Sequence, residues 1–370
     1  MPNILEASPS ATSTPISLAL LVASGPRLWT PERIVFTPAA LDEEHGQRIL
    51  KRVQSLGLEV ERLKSNRVTG VRGDGERETY NRAKRTLAVV NAPQSYTKLQ
   101  PIPPSADWQF HLAEGCPAHC QYCYLAGSLT GPPMIRAFAN LPMILGALPA
   151  YEKADKHETT FEASCYTDPL GIEHLTGSLA EAIKYFGTRE RGSLRYTSKF
   201  SAVDSLLDLP HNGRTQARFS VNIPAVSRRF EGGTSRVEER IAAARKMALP
   251  RAQGGGGYRI GFVVAPIMPV ESWREEYGAL LDQIASAIDL EADVTFELIT
   301  HRFTPGSKEV LLGWYPKTQL DLEEEGRDVK RNKFGGTKFV YAKATMKEMK
   351  AWFTSAIAAK MPRARVLYWT

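Results

Sequence analysis

From about Asp107 onward the chain alternates short runs rich in β-branched and aromatic residues with longer stretches of helical periodicity. Six such runs stand out: Asp107 to Leu112, Thr159 to Ser164, Leu194 to Ser198, Ala217 to Asn222, Tyr258 to Ala265 and Val294 to Ile299. The segments between them include Leu175 to Phe186 and Val237 to Ala248, where apolar positions recur at helical spacing. Alternating β and α units imply a parallel sheet with right-handed crossovers, and six of them predict an α/β fold whose sheet curls into a partial barrel. In barrels of this kind chemistry gathers at the C-terminal ends of the strands.

The flanking regions have a different texture. Residues 27–104 predict an N-terminal α/β region, with an amphipathic helix over Leu41 to Leu56, a strand over Thr86 to Val90 and a Pro-rich linker, Pro101 to Pro104, before the barrel of residues 105–305. Between helix and strand lies a basic stretch, Arg62, Lys64, Arg67, Arg72, Arg77, Arg82, Lys84 and Arg85, which Asp74, Glu76 and Glu78 dilute into the pattern of a solvated face. The run Gly254 to Gly257 has no following Gly-Lys-Ser/Thr and reads as a connector rather than a phosphate loop. In the C-terminal segment, 306–370, the acidic run Leu320 to Glu325 precedes Arg327, Lys330, Arg331, Lys333 and Lys338 around Gly335-Gly336, which predicts a basic β-hairpin. Residues 1–26 begin with a Ser, Thr and Pro-rich stretch, Met1 to Pro15, and are expected to form a poorly ordered tail.

Composition narrows the class. A chain of 370 residues, 43% hydrophobic, can bury a sizeable core, and a net charge of +7 suits a polyanionic partner without identifying one. Ile16 to Ala23 is too short to cross a bilayer and has no basic residue ahead of it, so a cytoplasmic protein without a membrane partner is expected.

Three of the four cysteines fall within eight residues, Gly-Cys116-Pro-Ala-His-Cys120-Gln-Tyr-Cys123-Tyr, which reads as metal binding rather than a disulfide framework. The loop follows the first predicted barrel strand and so lies at the catalytic end. Three soft thiolates on one loop can hold three irons of a cube and leave the fourth open to a small molecule. A structural zinc completed by His119 or Cys165 is the alternative, although no second Cys-x2-Cys knuckle exists.

The Cys-x3-Cys-x2-Cys loop resembles the signature of the radical S-adenosylmethionine superfamily, with its partial (β/α)6 barrel of the TIM type. The segments beginning at Gly115, Phe161, His211, Gly261 and Phe296, with Tyr315-Pro-Lys-Thr-Gln319 and the terminal Tyr368-Trp-Thr, resemble the spore photoproduct lyase family in the same order from about residue 33 to the end. The resemblance implies an enzyme with a [4Fe-4S] cluster on Cys116, Cys120 and Cys123. It also implies S-adenosylmethionine contacts at Thr167, Lys199, Ser220 and Ala265, with Asn222 and Glu297 as further candidates. The implied reaction reverses 5-thyminyl-5,6-dihydrothymine to two thymines. Cys165 would serve as hydrogen donor to the thymine allylic radical, and Tyr122 and Tyr124 would relay the radical onward.

The same resemblance implies UV-damaged double-stranded DNA as substrate, an electron donor such as flavodoxin or ferredoxin, and a monomer. DNA contacts fall on Arg302, Lys330, Arg331, Lys333, Phe334 and Lys338, the hairpin acting as a wedge beside a flipped dinucleotide. Three positions depart from the family pattern. Thr167 stands in place of a Ser, Lys333-Phe334 in place of Arg-Tyr, and Tyr166 in place of a small Thr or Ser beside the donor cysteine. A different pyrimidine lesion, or a zinc-stabilised binding protein without catalysis, are the competing expectations.

Overall fold

The six predicted runs become six consecutive parallel strands, Ala106–Gln109, Thr159–Glu162, Gly192–Ser198, Thr215–Val221, Arg259–Ile267 and Val294–Thr300, in one curled sheet in chain order. A seventh parallel strand, Arg365–Trp369, closes one edge, and Gln100–Ile102 pairs antiparallel at the other. The computed structural model describes residues 26, 28–129, 131–155, 157–289, 292–331 and 336–370. The expected tail, Pro26 apart, and the candidates Lys333 and Phe334 lie outside the described residues.

Each strand presents an apolar face to the surrounding helices. Phe219, Phe262 and Phe296 lie in register on three adjacent strands, all fully buried. The opposite face carries charge: Arg218 pairs with Glu162 and with Glu297 at 2.8 Å, Arg195 pairs with Glu297, and Tyr368 donates to Glu297 at 2.5 Å. Two arginines thus meet two glutamates in a buried layer inside the barrel, where their mutual attraction must offset the cost of desolvating four charges. Glu297, a further cofactor candidate in the sequence, belongs to this layer instead. Asn222 is also occupied structurally, donating to Pro266 O and accepting from Ile223 N and Tyr277 Oη.

The helix Val237–Ala248 and the strand Thr86–Val90 coincide with their sequence expectations. Elsewhere the chain departs from them. Gly177, at φ +65° in the left-handed region, divides the expected helix into Glu173–Thr176 and Ser178–Gly187. Part of the Pro-rich linker is the edge strand Gln100–Ile102, a position where proline's missing N–H is tolerated.

A second, five-stranded sheet is built from Arg33–Phe36, Glu61–Arg62 and Thr86–Val90 together with Ala113–Glu114 and Ile135–Phe138. The last two flank the cysteine loop in sequence, so that loop springs from the N-terminal sheet and reaches across the barrel. Among the described residues no helix is long and apolar enough to cross a membrane.

Candidate active site

The cysteine loop begins at Gly115, whose φ of +76° and close approach to Met134 O, 2.2 Å from where a Cβ would stand, leave room only for glycine. Three neighbours then clamp it. The buried Lys84 ammonium donates to the carbonyls of Cys116 and Ala118. His119–Cys120 pairs antiparallel with Glu231–Gly232, and Gln121 N donates to Phe230 O at 2.9 Å. Tyr80 Oη shares hydrogen bonds with His119 Nδ1, at 2.9 Å, and with Tyr315 Oη.

Burial pushes all three thiols up, Cys116 to about 12. Cys116 and Cys120 also respond to other thiols of the loop, while Lys84 beside Cys116 and Cys123, and Lys199 beside Cys120, oppose the rise. A thiolate set flanked by two ammonium groups suits a cluster that needs its ligands deprotonated. Among the described residues no three His, Cys, Asp or Glu side chains converge on the position of one ion. Thiolates that each take a different iron of a cube need no such convergence. A single zinc completed by His119 or Cys165 would need that convergence.

Beyond the ion-pair layer, on the same inner face, the strands carry the next candidates. Ser220 follows Arg218 by two residues on its strand, and the Lys199 ammonium reaches Ser220 Oγ at 2.7 Å, Glu231 Oε1 at 3.0 Å and Ala265 O at 3.4 Å. Three of the four proposed cofactor contacts therefore meet around one nitrogen. The fourth, Thr167, is buried with its hydroxyl unpartnered. An orphaned buried hydroxyl and a lysine, linked through Asp168, which follows Thr167 and accepts from Lys199 N, are groups that suit a small zwitterion with a carboxylate and polar ribose. Asp168 fixes the wall by accepting from Ser198 Oγ at 2.8 Å and Lys199 N at 2.7 Å, and burial raises its pKa to about 6.

Cys165 lies just past the strand Thr159–Glu162, buried, its thiol pushed up to about 12 by desolvation. Tyr124 donates to the carbonyl of Cys165. Tyr124 is 61% accessible, its hydroxyl turned in against the Cys165 carbonyl. Desolvation and then the neighbouring Cys165, Cys123 and Cys116 hold its phenol well above its ordinary value. Tyr122 is turned the other way and donates to Glu231, with the Lys199 ammonium 5.5 Å from its ring centre. A separate cavity of about 530 Å³ opens between Phe230, Met268 and Tyr341, and none of the candidate residues line it.

The expected hairpin forms from Arg327–Arg331 and Thr337–Tyr341, rooted on the barrel by the Phe303 to Phe339 backbone bridge and by Arg327 5.1 Å from the Phe303 ring centre. Lys330 lies directly opposite Lys338. Burial, then Arg302 and Lys330, lowers the Lys338 pKa, so three of the DNA candidates gather in one place. Arg331 lies exposed at the end of its described strand, opposite Thr337.

The sequence model of one protein family, Spore photoproduct lyase, matches residues 29–370. The chain belongs to the spore photoproduct lyase family. It is 40% identical to the spore photoproduct lyase of Geobacillus sp. (strain Y412MC61) over 347 residues, 92% of this chain and 99% of that protein. It is 38% identical to that of Bacillus subtilis (strain 168) over 346 residues, with the same coverage. Among solved structures it resembles a spore photoproduct lyase complexed with dinucleoside spore photoproduct, with a TM-score of 0.86, 40% identity, and 93% of this chain and 100% of that one covered. A double mutant of spore photoproduct lyase with bound AdoMet and dinucleoside spore photoproduct is equally similar, at TM-score 0.86 and 39% identity.

Within this member of the spore photoproduct lyase family, the side chains that hold the site together are partly ones the sequence left unmarked. Lys84 reads as one more surface cation of the basic stretch but is buried under the cysteine loop. Glu231 bonds Tyr122 and Lys199 and lies 2.6 Å from the Arg240 guanidinium, an ion pair whose angle falls short of a hydrogen bond. Its only sequence signal is a glutamate before Gly232-Gly233, where glycine lets two backbones approach.

Proposed function

We propose that this chain is a radical S-adenosylmethionine lyase that reverses spore photoproduct, 5-thyminyl-5,6-dihydrothymine, to two thymines in DNA. The observation that carries the reading is Tyr124, one residue past Cys123, with its hydroxyl on Cys165: a single side chain spans from the cysteine loop to the candidate hydrogen donor. Cys116, Cys120 and Cys123 would hold a [4Fe-4S] cluster and Lys199 and Ser220 the S-adenosylmethionine, and together these groups would supply the 5′-deoxyadenosyl radical chemistry that starts on the lesion.

The chain's own residues then complete the repair. Once the methylene bridge has broken, the Cys165 S–H bond breaks and a C–H bond forms on the thymine allylic radical, leaving a thiyl. Burial keeps Cys165 protonated at neutral pH, as a hydrogen donor must be. The Tyr124 O–H bond breaks to return a hydrogen atom to the thiyl, leaving a tyrosyl radical, with Tyr122 as the further relay that the family resemblance implies. Both phenols hold their protons firmly, raised first by desolvation. Lys199 and Ser220 orient the cofactor's charged end, with Thr167 and the Ala265 carbonyl on the same wall.

Damaged duplex DNA is held by Arg302, Lys330, Arg331 and Lys338, and the wedge that the family resemblance implies, Lys333 and Phe334, falls outside the described residues. A flavodoxin- or ferredoxin-type protein feeds the electron. Supporting an aromatic route inward, the half-buried Trp314 stacks on Tyr80 with ring centres 4.8 Å apart, and Tyr80 bonds to His119 of the loop. The protein acts in the cytoplasm as a monomer.

The test is anaerobic. The protein is reconstituted with iron and sulfide, reduced, and incubated with S-adenosylmethionine and an oligonucleotide carrying spore photoproduct, following thymine and 5′-deoxyadenosine. Lesion loss that needs both cluster and cofactor is expected. Formation of 5′-deoxyadenosine with the lesion intact would move the chemistry to another lesion, and zinc in the loop with no cluster would end the enzyme reading.

A further inference from the structure

Tyr166 follows the donor cysteine directly and takes no part in the chemistry described above. Its ring lies flat on His111, with centres 4.4 Å apart and planes within 8° of parallel. The support continues downward: His111 packs on Tyr96 at 5.1 Å, Tyr96 meets Phe138 edge-on at 5.5 Å, and the Tyr96 phenol donates to Glu114. Glu114 faces Arg136 at 3.6 Å, and both belong to the N-terminal sheet. Burial holds the His111 imidazole down to about 4, so the stack carries no charge at neutral pH.

One face of Tyr166 is thus backed by a fixed ring, while the residue as a whole is only half-buried. The exposed Tyr124 stands near enough for its phenol to feel that of Tyr166. The result is a rigid, neutral π surface beside Tyr124, one residue from the hydrogen-donating thiol.

The chemistry of the substrate says what such a surface would hold. In spore photoproduct the 5,6-dihydrothymine ring is saturated and puckered, but the other ring remains a planar thymine. That planar ring carries the bridging methylene, the carbon that becomes the allylic radical and must meet the Cys165 S–H. We propose that Tyr166 is the platform on which the planar thymine stacks, holding its methylene carbon at the donor thiol, and that it is a specificity-determining residue against lesions with no planar pyrimidine. A cyclobutane thymine dimer, with both rings saturated, is such a lesion. This inference rests on the function proposed above.

The experiment measures equilibrium binding by the reconstituted enzyme, kept unreduced so that no turnover occurs. The probes are dinucleoside spore photoproduct, the dinucleoside cyclobutane thymine dimer and undamaged thymidylyl-thymidine. Y166T is expected to lose spore photoproduct affinity by about fivefold to a hundredfold, the worth of one base stacked on an aromatic side chain, while Y166F retains it. Cyclobutane dimer binding should stay unchanged in both. H111A, which removes the backing ring, should weaken spore photoproduct binding in the same direction, and thermal unfolding of each variant separates this from a folding defect. If Y166T binds spore photoproduct as tightly as the parent enzyme, or if Y166F loses as much as Y166T, the platform is wrong while the proposed function stands. A parent enzyme that does not prefer spore photoproduct to undamaged thymidylyl-thymidine overturns both.

Discussion

The phenol of Tyr122 donates to the buried carboxylate of Glu231. Burial alone would raise the pKa of that carboxylate, but Lys199, Arg240 and its hydrogen bonds outweigh it and hold the group at about 2. Removing one member of such a cluster strands the others, at a cost of about 3–5 kcal/mol. Glu231→Ala should therefore lower the unfolding free energy by that order, seen as a lower denaturant midpoint, and free the Tyr122 ring. Chemical denaturation gives the first, and the phenol's tyrosine Raman bands report the loss of its carboxylate acceptor.

Lys84 makes a separate prediction at the cysteine loop. Its ammonium satisfies two carbonyls, those of Cys116 and Ala118, and its charge favours the thiolates of Cys116 and Cys123. A hydrogen bond to a charged group is worth about 1.5–3 kcal/mol. Lys84→Met keeps the apolar stem and loses both bonds, so it should reconstitute with less iron per chain while circular dichroism stays unchanged. Full iron loading in the variant would show that the loop holds its shape without the ammonium.

The contrast between Lys84 and Lys199 marks what could be read from the sequence. Lys199 falls at the end of a run whose β-branched and aromatic residues predict a strand, so its place at the catalytic end followed from topology and its role from the family resemblance. Lys84 occupies a helix with basic and acidic neighbours, a local pattern that predicts a solvated face. Its burial arises because Cys116 to Ala118, more than thirty positions later, folds over it, as the 32-residue separation of its bond to Cys116 records. The inner ion-pair layer was similarly hidden. Glu162, Arg195, Arg218 and Glu297 each interrupt an apolar run singly, and only strand register brings them together. Tyr166 was legible as a departure from the family, but its stack on His111 depends on the chain path between them.

Glu173 predicts a pH dependence away from the chemistry. It caps the helix Ser178–Gly187 by accepting from Leu179 N at 2.8 Å and Ala180 N at 3.2 Å, and burial raises its pKa to about 7. Its folded pKa thus exceeds the unfolded one, so the folded state binds the proton more tightly. The resulting stability is fully present below about pH 4.5 and is lost as pH rises through about 7, amounting to about 3 kcal/mol. Thermal midpoints of the parent chain should carry this downward contribution between those limits. Glu173→Gln should remove it, at the cost of one cap hydrogen bond, because the amide nitrogen cannot accept. An identical slope in parent and variant would assign the dependence to other groups.

Lys338 tests the hairpin as a nucleic-acid surface. In an antiparallel pair, like charges directly opposite one another destabilise the hairpin, and Lys330 faces Lys338 with Arg302 close by. Burial and these two cations already depress the Lys338 ammonium, so the cluster is under repulsion that an anion would relieve. A phosphate placed among the three would convert that repulsion into attraction and release counterions on binding. Each phosphate contact contributes about 0.9 to the slope of log affinity against log salt for duplex DNA. Lys338→Gln should therefore weaken binding to lesion-bearing and undamaged duplexes alike, since phosphate contacts carry no sequence information, and lower the salt slope by about one. Because the substitution also removes a like-charge opposition, the free variant should be as stable as the parent or slightly more so. Fluorescence anisotropy over a salt series measures the slope. An unchanged slope with weakened binding would mean that Lys338 acts on the hairpin's shape and not on phosphate.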